Sequence, residues 1–234
     1  MAIRELEPER VARVRAAMAV GEQDPAVSLC AACADVVDVA GAALALVKGG
    51  RVLGTVCVSD SVTSRVEDLQ YTLGEGPAID ACETREPVLI ADLAATDVAR
   101  WPSFGDAALH AGMRSANGFP MVIHGICIGA LDLYNDEAMT LTETQVADAL
   151  VVADVACRTV LRWQYVAIPN ALAWQLEQVP AYRAVVHQAT GMISVQSETS
   201  VDDSLALLCA HSFAHDRSID EVADDVVARR LRFD

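Results

Sequence analysis

Leu73-Gly-Glu-Gly-Pro77-Ala-Ile-Asp-Ala-Cys-Glu-Thr84 is the stretch around which the 234-residue chain is organised. Gly74 and Gly76 permit a sharp turn. Pro77 then suits the first position of a helix, because its ring presets φ and it has no N–H to leave unpaired. A helix to Thr84 is therefore expected. Two readings stay open for the turn: it forms the fold, or it sets a helix N-terminus at the mouth of a pocket, where free N–H groups suit an anion. Glu75 and Asp80 beside it would repel a bare anion. Downstream come the strand Pro87-Val-Leu-Ile-Ala-Asp-Leu93, Trp101-Pro-Ser-Phe104 with a helix to Gly112, and Arg114-Ser-Ala-Asn-Gly-Phe-Pro120 leading into a hairpin over Met121 to Tyr134. Upstream, Ala43-Leu-Ala-Leu-Val47 reads as a buried strand that Lys48-Gly-Gly-Arg51 turns into Val52 to Val58, since both glycines tolerate positive φ. Residues 60 to 72 are polar and read as a loop with a short helix.

This succession resembles a GAF domain from about Pro25 to Trp163. The resemblance implies an α+β sensor fold, an antiparallel sheet flanked by helices, with a small molecule in its pocket. Cyclic nucleotides, haem, bilins and metabolites all occur in the family, and fold does not choose among them, so ligand and cofactor stay unknown. No cysteine pattern marks bilin attachment, and His110 and His124 read as surface groups. An arginine- and glutamate-rich helix is expected over residues 4 to 20, with Leu6, Val11, Val14 and Met18 as its apolar side. Another opens at Pro25 and runs to about Val39. A long helix begins at a capping box, Thr140-Leu-Thr-Glu143. Its Val146, Leu150, Ala153, Cys157 and Val160 recur at heptad spacing. That seam fits a homodimer contact, within residues 1 to 20 and 142 to 166, or a closing helix laid on the sheet.

The net charge of −16, with 53% hydrophobic residues, describes a chain with a real core and argues against a membrane surface or a broad nucleic-acid groove. Residues 1 to 25 hold no long apolar stretch, so no secretory signal is expected and a cytoplasmic location is. Seven cysteines, an odd number, then read as reduced thiols used as small apolar residues. Cys30-Ala-Ala-Cys33 is the close pair; burial is its expected role, with no second pair to complete a metal site. His211 and His215 have chelating i, i+4 spacing but no third ligand nearby, so no metal is expected.

From Tyr182 to Leu231 the pattern is three short amphipathic helices. The first carries Val185, Ala189, Met192 and Gln196 on one face, with Val186 and Ile193 beside them. Ser200-Val-Asp-Asp203 opens the second, expected to bury Val201, Leu205, Leu208 and Ser212, and Ser218-Ile-Asp-Glu221 opens the third, with Ile219, Val222, Ala223, Val226 and Val227 in one stripe. Gln188-Ala-Thr-Gly-Met-Ile193, Asp202 to Leu208 and Asp216 to Val227 resemble the ANTAR module of bacterial antitermination regulators. The resemblance implies a dimeric all-α module that stabilises RNA stem-loops, with His187, Gln188, Thr190 and Arg217 at the RNA. The family's Ala-Lys-Gly is Ala189-Thr190-Gly191 here, and its Arg-Arg pair is Cys209-Ala210. Residues 167 to 234 hold five arginines against ten acids. Arg229, Arg230 and Arg232 can form a basic RNA face or simply complement a helix dipole.

The expected architecture is a GAF sensor over residues 1 to 166, a helical connector over 167 to 180 and an ANTAR domain over 181 to 234. The expected function is transcription antitermination by a cytoplasmic homodimer that senses a signal and binds RNA. A degenerate protein-interaction module is one alternative. A thiol-dependent methionine sulfoxide reductase is another, but Cys82 stands near the far end of its helix beside Glu83, whereas a nucleophilic thiol wants a basic setting and a resolving partner. The chain is accordingly read as not an enzyme.

Overall fold

Gly49 and Gly50, at φ 61° and 74°, join β1 (Gly41–Lys48) to β2 (Arg51–Val58), as the Gly-Gly pair predicts. The computed structural model describes residues 8–18, 25–96, 99–165, 184–215 and 217–233. It divides the chain into two units, Met1–Tyr165 and Val166–Asp234. In the first, β3 (Val88–Ile90), β4 (Ser115–Ile123) and β5 (Ile126–Asn135) complete a five-stranded antiparallel sheet of order β2-β1-β5-β4-β3. The β4–β5 turn uses positive φ at His124 and Gly125. The strand expected from Pro87 to Leu93 is shorter, because Asp92 caps a 3-10 turn at Leu93–Ala95 by accepting from Ala94 N.

Alternation along the strands sends two sets of side chains to opposite faces. One face, with Leu44, Phe119, Met121, Leu131 and Leu133, packs against α1 (Pro8–Ala17), α2 (Pro25–Val37) and α6 (Glu143–Tyr165). There the heptad seam is spent within the chain: Ala153, Cys157 and Val160 are buried in this core, and Val146 and Leu150 pack against it. Of the two expected roles, α6 takes that of the closing helix laid on the sheet. Its N-terminal box is Thr142 with Gln145, each bonding the other's backbone N–H, two residues later than expected. Arg10 and Arg13 of α1 both reach the buried Asp148 of α6, so α1 is held by charge as well as by Val14 and Met18.

The opposite face carries α3 (Ser61–Leu73), α4 (Pro77–Thr84) and α5 (Phe104–His110). Residues 60 to 72 are thus a full helix rather than a loop. Asp60 starts it by accepting from Val62 N at 2.8 Å and Thr63 N at 2.9 Å, and Gly74 ends it in the left-handed region. Beneath α4 the sheet presents small residues, Ala45, Ala116, Gly118 and Ala130, and the helix backbone comes down onto them. A Cβ added at Gly118 would lie 2.4 Å from Pro77 O.

Cysteine usage also differs from expectation. Cys30 is bonded to Cys57 and Cys82 to Cys127, so these four are cross-links rather than small apolar thiols. Only Cys33 and Cys157 match the expected role; burial pushes Cys33 up to about 12 and Cys157 to about 11, the latter helped by Asp154.

The second unit packs α7 (Ala184–Gln196), α8 (Val201–Ala214) and α9 (Ile219–Val227). Its core is Val186, Ala189, Ile193, Leu208, Ile219, Val222, Ala223 and Val226. Both serine caps form, Ser200 on Asp203 N and Ser218 in a full box with Glu221. Two expectations shift. The inner face of α7 is turned so that Thr190 joins Val186, Ala189 and Ile193, and Val201 is exposed. The connector over residues 167 to 180 lies outside the described residues. Among these, no helix is long and apolar enough to cross a membrane.

Gly118→Ala is expected to lower stability by about 1–3 kcal/mol, since backbone rather than a flexible side chain opposes the new methyl group. Gly105→Ala, on α5 with open space around it, should be neutral or stabilising. Urea unfolding midpoints of the two variants check this contrast.

Candidate functional site

Between α3, α4 and the sheet lies a cluster of polar side chains with almost no access to water: Glu67, Gln70, Asp132 and Tyr134. One helical turn separates Glu67 from Gln70, and strand alternation puts Asp132 and Tyr134 on one face of β5. The Gln70 amide is the hub. Its Nε2 lies 3.0 Å from Asp132 Oδ2, 2.9 Å from Tyr134 OH and 3.2 Å from Glu67 Oε1. Its Oε1 accepts from Ala78 N at 2.9 Å. Tyr134 OH in turn donates to Glu67 Oε1 at 2.8 Å.

Two consequences follow for the Gly-Glu-Gly-Pro turn. Gln70 occupies the first available N–H of α4, so the reading of this helix start as an open anion site is not what the structure presents. Gly76, at φ 133°, needs its missing side chain, because a Cβ there would fall 2.4 Å from Gln70 Oε1. Glu75 points the other way. Its Oε2 accepts from Ser103 N and Phe104 N, both at 3.0 Å, and so caps α5. Asp80 pairs with Arg100.

The two buried carboxyl groups share one environment. Burial pushes Glu67 up to about 7, partly offset by hydrogen bonds from Tyr134, Gln70 and Asp132. Asp132 is likewise raised, by burial and then by the charge of Glu67. The two carboxyl groups together therefore favour holding a proton. Glu67 Oε2 and Asp132 Oδ1 accept from no other donor among the described residues. Trp101 Nε1 and Thr55 Oγ1 are buried and unpartnered likewise. Such a site can bind or release a proton, or meet a donor-rich group, at the point where α4 is pinned to α3 and the sheet.

The sheet order and the helices on its two faces agree with one family. A model of the GAF domain matches residues 22–154, more than half of the chain. The chain belongs to the GAF domain family. The GAF domain of a phosphoenolpyruvate-protein phosphotransferase from Coxiella burnetii is similar at 14% identity and a TM-score of 0.50, over 67% of this chain and 94% of that one. The GAF domain of the Acinetobacter phosphoenolpyruvate-protein phosphotransferase is similar at 13% identity and a TM-score of 0.51, over 68% and 94%. At such identity the likeness is one of fold alone. No curated protein matches the chain. GAF domains typically serve as signal-sensing modules, which gives the buried cluster its interest.

None of the four cluster residues stood out in the sequence. The available signal was Asp60 and Gly74 bracketing Val62, Val66, Leu69 and Leu73, a helical pattern in which Glu67 and Gln70 share the inward side with Val66. In the GAF domain Cys127 also supplies the partner that Cys82 was expected to lack.

The residues expected at RNA fall into separate places. His187 and Gln188 are exposed near the start of α7. Thr190 is 2% exposed, with its hydroxyl donating to Val186 O at 2.7 Å, so it packs the core and has no free surface for RNA. Arg217 and Arg230 come together on Asp225, at 2.7 and 2.6 Å, and Arg229 is exposed next to them. This group lies near the far end of α7, where Phe233 N donates to Gln196 Oε1 at 3.1 Å. From His187 to Gln196 the helix rises about 14 Å. His211 and His215 stack with ring centroids 4.0 Å apart. Burial, then His215 and Arg217, lower the His211 pKa.

A raised carboxyl pKa makes the folded GAF domain hold a proton that the unfolded chain releases at lower pH. Stability from Glu67 is therefore complete below the ordinary carboxyl range and is lost as pH rises toward about 7. Urea midpoints are expected to fall between pH 5 and pH 8, and Glu67→Gln should flatten that slope.

Proposed function

We propose that the chain is a signal-dependent regulator of transcription antitermination, in which the GAF domain receives the signal and the C-terminal three-helix unit binds stem-loop RNA. It acts in this reading as a cytoplasmic homodimer and not as an enzyme. The observation that carries it is the convergence of Arg217 and Arg230 on Asp225. Two guanidinium groups meet one carboxylate, and hydrogen bonds from Arg217 and then Arg230 hold Asp225 below the usual carboxylate range. Arg217 and Arg230 outnumber Asp225 by one charge, and Arg229 and Arg232 are exposed on the turn that follows, with Glu221 and Asp224 exposed on α9. In this reading the four arginines are the phosphate contact. Capped helices and an ANTAR-like order of residues support the same reading.

A second reading is docking to a protein partner. It is favoured by Leu207 and Phe213 on the outside of α8, 40% and 49% exposed, near the positions where the ANTAR pattern has arginines. Salt separates the two, because phosphate contacts weaken steeply with added salt and apolar contacts do not.

Filter binding of the full chain to a tandem stem-loop RNA tests the proposal. Arg217→Ala with Arg230→Ala is expected to weaken binding at least tenfold and to reduce the log–log salt slope by about 1 for each contact removed. Asp225→Asn should instead strengthen binding, since it frees both arginines. Salt-insensitive association, or an Asp225→Asn variant that binds no better, would favour protein docking.

A further inference from the structure

The pairing of β4 with β5 contains an irregularity whose effect is to aim one cysteine. Met121 is opposite Gly129 and Val122 opposite Cys127, so Ile128 has no opposite number. Such a bulge flips the side-chain alternation beyond it. Ile128 therefore packs toward the α2 and α6 core, while Cys127 turns to the α4 side and bonds Cys82. In regular pairing, with Val122 opposite Ile128, strand parity would carry Cys127 to the face away from α4.

The two disulfides differ in access. Cys30 and Cys57 are both buried, whereas Cys82 and Cys127 are both half-exposed. Exposed disulfides are the ones open to thiol attack. Cys127 Sγ also lies 3.1 Å from Gly129 O, so a released thiol already has an acceptor. The bond holds the C-terminal half of α4. Its N-terminal half is held by Gln70 Oε1 on Ala78 N.

We propose that Cys82–Cys127 is a redox-responsive clasp that fixes α4 to the β4–β5 hairpin and is opened by a dithiol reductant. The reductant's thiolate attacks one sulfur and forms a mixed disulfide, expelling the other as thiolate. The reductant's second thiol then displaces the remaining Cys sulfur. Cys82 and Cys127 together gain two electrons and two protons, and the dithiol becomes its own disulfide. Opening frees the C-terminal half of α4 from the β4–β5 hairpin, while Gln70 still holds its N-terminal half. The clasp is independent of any RNA contact, since every group in it belongs to the GAF domain.

The full chain, equilibrated in graded dithiothreitol redox buffers, is to be followed by differential alkylation with peptide mass mapping and by amide hydrogen exchange. Cys82–Cys127 is expected to open at a less reducing poise than Cys30–Cys57. Exchange over residues 78–84 should rise at least tenfold while Cys30–Cys57 is still closed. A Cys82→Ser, Cys127→Ser variant should show that faster exchange in every buffer, and reduced wild type serves as the same test without substitution. Cys30–Cys57 opening first, both opening together, or α4 exchange unchanged on reduction of Cys82–Cys127 would each overturn the clasp.

Discussion

One side-chain amide joins α3, α4 and β5. Gln70 offers a carbonyl to the first free N–H of α4 and an amino group to Asp132 and Tyr134. An amide is the side chain that can do both, because it carries acceptor and donor on one rigid plane. In a site with little water each of these bonds is strengthened, and each would be costly to leave unmade. The position of α4 thus depends on polar satisfaction as well as on the burial of Ala78, Ile79 and Ala81. The small floor of Ala45, Ala116, Gly118 and Ala130 lets the helix sit low enough for the Ala78 N–H to reach Gln70.

That arrangement places a pair of carboxyl groups where only one can be charged at little cost. Asp132 and Glu67 come from β5 and α3, and among the described residues neither has a cationic partner; Gln70 and Tyr134 supply neutral donors instead. Two like charges in a dry site repel too strongly to coexist, so a proton stays with the pair. The charge state of the cluster and the seating of α4 are then linked through Gln70. Any group that adds or removes charge there acts on the same hub.

Much of the GAF fold was legible wherever a single residue has a strong local effect. Gly49-Gly50, the Gly-Glu-Gly-Pro turn and the Ser200 and Ser218 caps are such cases, since their conformations follow from nearest neighbours. Helix α3 was missed because its inward polar residues, Thr63, Glu67 and Gln70, make it look solvated, and their satisfaction comes from β5 and α4, distant in sequence. The seam of α6 was ambiguous because an apolar stripe does not say which surface it meets. Thr190 was misplaced because a one-residue rotation of α7 about its axis, about 100°, decides between core and surface. The Cys82–Cys127 disulfide depends on a bulge at Ile128 that no short-range pattern in the sequence announces.

The C-terminal unit poses the opposite electrostatic problem, and solves it locally. Its acids concentrate in the first turns of α8 and α9, where Asp202, Asp203, Asp220 and Glu221 meet the positive ends of helix dipoles. They are drawn there by the backbone and need no arginine to balance them. Arg217, just before the Ser218 cap of α9, and Arg230, just past the helix end, converge from separate parts of the chain. Asp225 keeps the two guanidinium groups together against their mutual repulsion, which distance alone would otherwise relieve. Four of the module's acids are thus placed by helix starts, while one carboxylate in the last turn of α9 gathers two of its arginines.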